Sequence, residues 1–143
     1  MNNSSAPLAW LINDRLVRVE YFESYAWRLH FESGATLYVG CTWRKIEKSV
    51  IVCTSEDHGH KFGLPTPIDG IALLEALSQF PITAVTVQSG TADILIEFGE
   101  DASLEIISTS AGYEPWSASH PKLGKVVATG QGRLHYLPSV GGI

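Results

Sequence analysis

From Leu16 to Tyr21 apolar and polar residues alternate with a period of two, and the alternation resumes from Tyr25 to Phe31, with Trp27, Leu29 and Phe31 on one face and Arg28 and His30 on the other. Glu32-Ser33-Gly34 has the composition of a tight turn. Thr36 to Thr42 and Val50 to Cys53 then read as two more strands joined by the charged Arg44–Lys48 stretch, which predicts a four-strand antiparallel meander. A polar, glycine-bearing loop spans Ser55 to Gly63. After it, Thr66 as N-cap, Pro67 at N1 and Asp69 at N3 open a predicted helix over 66–80, with Ile71, Leu74 and Leu77 on its apolar face and Pro81 as its stop. Strands are predicted again at 82–87, 93–98 and 103–108, then a loop through Ser110–Trp116, and a last hairpin of 125–129 and 133–137 turned by Gly130-Gln131-Gly132. One short helical turn near Leu8–Ile12 precedes all of this, and the tail 139–143 is expected to fray.

The two strand-rich stretches are variations on one pattern. The run from Ala26, AWRLHFESGATLYV, and the run from Ala92, ADILIEFGEDASLEI, match Phe31 and Leu37 with Phe98 and Leu104 at one offset. Upstream, Leu16–Val19 matches Ala84–Val87 with a further displacement, and the duplication fades after Ile107. The expected architecture is α+β: a single domain, 1–143, holding a pseudo-repeat (about 15–54 and 82–137) linked by the helix 66–80, which packs on the apolar face of a sheet.

Composition narrows the function classes. A chain of 143 residues with 45% hydrophobic and 17% charged residues is long enough for its own core and shows no disordered tract. A net charge of -5 argues against a phosphate-backbone footprint and so against a nucleic-acid partner, and favours a basic protein partner if the charge steers anything. The N-terminal segment has no basic region, and its apolar run is too short for a signal peptide or membrane span, so the expectation is a cytoplasmic protein without a membrane partner. Cys41 and Cys53 flank the predicted hairpin and could face each other; in a reducing compartment they read as small buried hydrophobes.

Candidate chemistry is sparse. Cys53-Thr54-Ser55-Glu56-Asp57-His58-Gly59-His60 holds the densest set of titratable groups, and Asp57, His58 and His60, with a cysteine nearby, could complete a zinc shell. The spacing matches no established metal motif, and Asp57 before Gly59 is also what a plain turn wants. No cofactor is expected. No nucleophile elbow or phosphate loop exists, and the cysteines sit in predicted strands. In Tyr113-Glu114-Pro115-Trp116 two aromatics flank a carboxylate. Tyr113, Glu114 and Trp116 could anchor a protein partner, or the rings could fold back onto the core.

That segment, followed by Lys125-Val126-Val127-Ala128-Thr129-Gly130-Gln131-Gly132, resembles the ending of a small bacterial family known only as domain of unknown function 6188, in which a Tyr-Glu-x-Trp motif precedes a short strand and a Gly-Gly turn. The Leu29-His30-Phe31 and Ile94–Phe98 strands, with Leu37 and Leu104, are similar to that family's paired strands, and the likeness extends over most of 11–137. Gln131 interrupts the family's glycine pair. The resemblance implies no established activity; by analogy with small bacterial proteins of this kind it suggests an immunity-type inhibitor of a toxin. The favoured expectation is therefore a non-enzymatic protein-binding module. The opposing readings are a small-ligand, metal-binding or hydrolytic protein centred on Asp57–His60, and a homo-oligomeric module such as a homodimer.

Overall fold

The computed structural model describes residues 3–23 and 25–138; the tail expected to fray lies outside them. Twelve strands form two antiparallel six-stranded sheets. The first half of the chain supplies β1 (Asn3–Ser4), β2 (Leu16–Phe22), β3 (Ala26–Phe31), β4 (Thr36–Val39), β5 (Thr42–Glu47) and β6 (Val50–Thr54). A short helix α1 (Gly70–Glu75) runs into a 3-10 turn (Ala76–Gln79). The second half supplies β7 (Ile82–Gln88), β8 (Ile94–Phe98), β9 (Ala102–Ile107), β10 (Trp116–His120), β11 (Gly124–Thr129) and β12 (Arg133–Leu137). One sheet has the order β1-β7-β8-β9-β5-β6, the other β12-β11-β10-β4-β3-β2. The fold is α+β with little α.

Each half builds a three-strand meander in one sheet and then crosses into the other, so every sheet is a composite of both halves. The two halves pair in the same register. Leu16 faces Phe31 as Ile82 faces Phe98, and the ladder slips by one residue just after each of these pairs. Glu32 donates its N–H to the Arg15 carbonyl as Gly99 does to that of Pro81. At the seams Trp43 lies opposite Ile106 and Trp116 opposite Val39. Lys45, between Leu104 and Cys53, then occupies the place that Ala118 holds between Leu37 and Val126. Leu8 and Leu11 precede β2 at the spacing at which Leu74 and Leu77 precede β7, and all four are fully buried. Ile82, not Ala84, is therefore the counterpart of Leu16; a slip of two leaves face parity intact, which is why alternation alone misplaces it. The duplication also runs past Ile107, through β10 and β11.

Three further expectations are corrected. Thr36–Thr42 is not one strand: the chain leaves one sheet at Gly40, whose N–H donates to the Pro115 carbonyl, and enters the other at Thr42. The charged Arg44–Lys48 stretch is mostly strand β5, turned at Lys48-Ser49, because Arg44 bridges to Glu105 across the sheet at 2.6 Å and Lys45 is buried. The helix begins at Gly70, with Asp69 as its N-cap accepting from the Ala72 N–H. Residues upstream of it are not helical: Ile68 exchanges hydrogen bonds with Gly59 and His60 instead of continuing a helix.

The Gly130-Gln131-Gly132 turn is pressed against the β7–β8 turn. A Cβ at Gly132, which has φ +70, would overlap the Gly90 carbonyl oxygen, and one at Gly130 the Ala111 carbonyl. Gly132→Ala should therefore destabilise by about 1–3 kcal/mol, since backbone must shift to admit it; equilibrium denaturation checks this, and a neutral result would mean that the turn is free to move.

Candidate functional site

At the end of the sandwich where β4 passes into β5 lies a cleft of about 360 Å³. Its floor and one wall come from the paired positions Tyr21 on β2 and Trp27 on β3. Tyr25, in the intervening turn at φ 65 and largely exposed, stands at the rim. Gly40, Cys41 and Thr42 contribute from the β4–β5 crossing, Ser55, Glu56, His58 and His60 from the loop after β6, and Thr109 and Tyr113 from the β9–β10 connection.

His58 is the keystone of the wall. Its Nδ1 accepts the Gly70 N–H at 2.9 Å, so the ring is the neutral tautomer with its hydrogen on Nε2. The imidazole packs edge-on against Tyr21 and Trp27, with centroids 4.6 and 5.0 Å away, and those two rings lie 4.6 Å apart. Gly70 packs tightly beneath it: a Cβ there would come within 3.2 Å of both Trp27 and His58, so one of the rings would have to give by a few tenths of an ångström. The loop itself is fastened at both ends: Ser55 exchanges hydrogen bonds with the Trp43 backbone, and Gly59 and His60 pair with Ile68. Across the cleft the Tyr113 hydroxyl shares a 2.8 Å hydrogen bond with the Thr109 hydroxyl, which leaves the half-exposed ring facing the opening.

The sequence-derived candidates are partly brought together here. His58, His60 and Tyr113, expected in separate sites, line one cleft. Asp57 does not join them: its Oδ2 accepts from the Thr54 N–H and hydroxyl and closes the turn. His60 turns its ring toward Phe62. Among the described residues no group of three or more His, Cys, Asp and Glu side chains is placed to hold a metal ion. Of the two expectations for Trp116, the structure has the ring folded back onto the core and not offered to a partner: it is 1% exposed and donates its indole N–H to the Ala92 carbonyl at 2.7 Å. It belongs to the core, as the first residue of β10 in what was expected to be loop. Glu114 is exposed just outside the cleft.

Both thiols are held away from the thiolate form. Burial, helped by the Asp93 carboxylate, pushes the Cys41 thiol up to about 12; burial and Asp57 push Cys53 up to about 11. Both are free thiols; Cys53 lies opposite Lys45, not Cys41.

Tyr21, Tyr25 and Trp27 escaped the sequence reading. The signal was three aromatics bracketing one turn, a density that alternation explains for Trp27 and leaves unexplained for Tyr25. The other half offers a control. Its corresponding corner, between Gly90-Thr91, Ser108–Ala111 and Gln131-Gly132, has small side chains and backbone where the cleft has rings. Both corners are concave, at about 360 and 350 Å³, and they differ in lining: rings and imidazoles at one, small side chains and backbone at the other. No helix among the described residues is long and apolar enough to cross a membrane. The sequence matches no family model and no curated protein, and the structure matches no solved structure, so the site stands on its own geometry.

Proposed function

We propose that this is a non-enzymatic binding protein, working in the cytoplasm, whose site is the Tyr21–Trp27–His58 cleft and whose ligand is a neutral, hydroxyl-rich ring such as a sugar unit. The observation that carries this reading is the lining. The exposed Tyr25 and Tyr113 rings suit the C–H face of such a ring, with Trp27 buried behind Tyr21 and His58 as their support, while the Thr42, Ser55 and Thr109 hydroxyls, Glu56 and the His58 imidazole offer donors and acceptors to its hydroxyls. The lining carries Glu56 and neither Lys nor Arg, which disfavours phosphate or carboxylate ligands. Its volume sits at the small end of ligand sites, which span roughly 300–1,000 Å³.

Titrating the indole fluorescence with a panel of neutral mono- and disaccharides tests this. A saturable change is expected for at least one, and Tyr113→Ala should weaken it by about tenfold while leaving the melting temperature nearly unchanged, because the ring is half exposed. Failure of every sugar to saturate would overturn the ligand class. A second reading is favoured by Tyr113 and Glu114 lying exposed together beside the cleft on an acidic chain. On it the cleft receives a side chain of a basic protein, as an immunity-type inhibitor would. Capture of such a protein, lost with Tyr113→Ala and unaffected by sugars, would select it.

A further inference from the structure

The edges of the two sheets are unequally protected. β1 is two residues long, which leaves little ladder to pair with. β2 carries the charged Arg18 and Glu20 and is braced by Glu75 of α1, whose carboxylate takes the Val19 N–H. β12 carries Arg133 and His135 and runs into Pro138. β6 is different: Val50, Ile51 and Val52 are 61, 50 and 42% exposed, and no charge interrupts the chain between Lys48 and Glu56. The internal duplication shows what such an edge accepts. The counterpart of β6 is β11, and β11 is covered along five residue pairs by β12, an antiparallel strand. No strand of the described chain does this for β6.

The surface continues inward. The β5–β6 ladder slips after Lys45, and Val50 and Val52 both border a groove of about 740 Å³ with Phe80, Phe98 and Ala102, which the charged Glu47, Lys48, Glu100 and Asp101 also line. At the matching end of the other half, Trp10 packs edge-on to His120 at 5.3 Å and Pro121 sits over Gly34. Beside β6, Phe80 sits over Gly99 as Pro121 does over Gly34, and the Phe80 ring is itself 45% exposed.

We propose that β6 is the seat of an isologous homodimer in which β6 strands of two copies pair antiparallel about a two-fold axis at Ile51. The centre of the strand is self-complementary in that arrangement: Ile51 meets the partner's Ile51 and Val50 meets the partner's Val52, three apolar, β-branched pairs, while Cys53 and Thr54 fall opposite the turn residues Ser49 and Lys48. The pairing covers the Val50–Val52 part of the edge in both copies, the Thr54 N–H being already taken by Asp57, and lowers the exposure of the valines that border the groove. One strand pair plus a groove is a small interface, so association is micromolar rather than nanomolar.

Sedimentation of the full chain from micromolar to millimolar concentration tests this, with hydrogen exchange at both ends of the range. A reversible dimer is expected, with slower exchange at high concentration confined to β6 and the groove. Ile51→Lys, which sets two ammonium groups against each other on the axis at a half-exposed position, should weaken it at least tenfold; Leu95→Lys, on the outer face of the same sheet, should not. A monomer through the whole range overturns the proposal and leaves the edge to another protein's strand. A dimer that Leu95→Lys breaks and Ile51→Lys does not, or one without slowed exchange in β6, overturns it as well. None of these outcomes depends on the cleft.

Discussion

Trp116→Ala is expected to lower the stability of the fold by about 3–5 kcal/mol, the cost of emptying a large aromatic site that the neighbours cannot collapse to fill. Trp116 is fully buried at the seam where the two halves pair, opposite Val39, and Trp43 holds the equivalent place opposite Ile106. The pair makes a sharper experiment than either residue alone. Trp116 donates its indole N–H to Ala92, whereas the buried Trp43 N–H finds no acceptor among the described residues. Replacing each by Phe removes comparable apolar volume but strands an acceptor only at Ala92. Trp116→Phe should therefore cost about 1 kcal/mol or more beyond Trp43→Phe, the difference being the hydrogen bond and the carbonyl left without it. Denaturant unfolding of both variants decides the matter. Equal costs would mean that packing alone fixes the seam and that the hydrogen bond adds nothing.

What the sequence made legible was set by how far a residue's partners lie along the chain. β2 and β3, and β7 through β9, were readable because their alternation, their turns and the Phe31/Phe98 and Leu37/Leu104 correspondence are all local. The crossing at Gly40 was not, because buried positions continue at Leu37, Val39, Cys41, Trp43 and Lys45 without a break in phase while the chain changes sheets. β10 was hidden for a different reason: Ser117, Ala118 and Ser119 have little intrinsic strand preference and are held by β4 and β11 on either side. The helix was over-extended because a Thr-Pro start at 66–67 and an apolar stripe look alike whether or not Ile68 is tied to the loop before it. The cleft was the least legible feature. Its residues come from the β2–β3 corner, the β4–β5 crossing, the loop after β6 and the β9–β10 connection, and only the composite sheets bring them together. His58 and Tyr113 could be nominated singly, and nothing in the chain says that they share a wall.

Lys45 joins the fold to that site, and its replacement separates two roles of one side chain. It is 2% exposed, donates from Nζ to the Leu73 carbonyl in α1 at 2.7 Å, and lies 3.1 Å from the half-exposed Glu47 carboxylate. The ammonium thus gives the Leu73 carbonyl a charged donor in the middle of the helical run formed by α1 and the 3-10 turn that follows it, and ties that run to β5. Lys45→Ala removes donor and stem together and should cost about 2–4 kcal/mol through the cavity and the lost charged hydrogen bond. Lys45→Met keeps most of the stem's packing, removes a buried charge whose desolvation the fold now bears, and should cost at least about 1 kcal/mol less than Lys45→Ala. Glu47→Gln should change stability by less than about 1 kcal/mol, because its carboxylate remains in water. The same series reports on the cleft. α1 begins at Gly70, whose N–H holds His58 in place, so a variant that loosens the helix also frees the imidazole from Tyr21 and Trp27. Lys45→Ala should then weaken ligand binding in step with stability, while Lys45→Met retains both. If Lys45→Met is as damaging as Lys45→Ala, the ammonium itself, not the stem, fastens α1; if binding survives while stability falls, His58 is held by its aromatic neighbours alone.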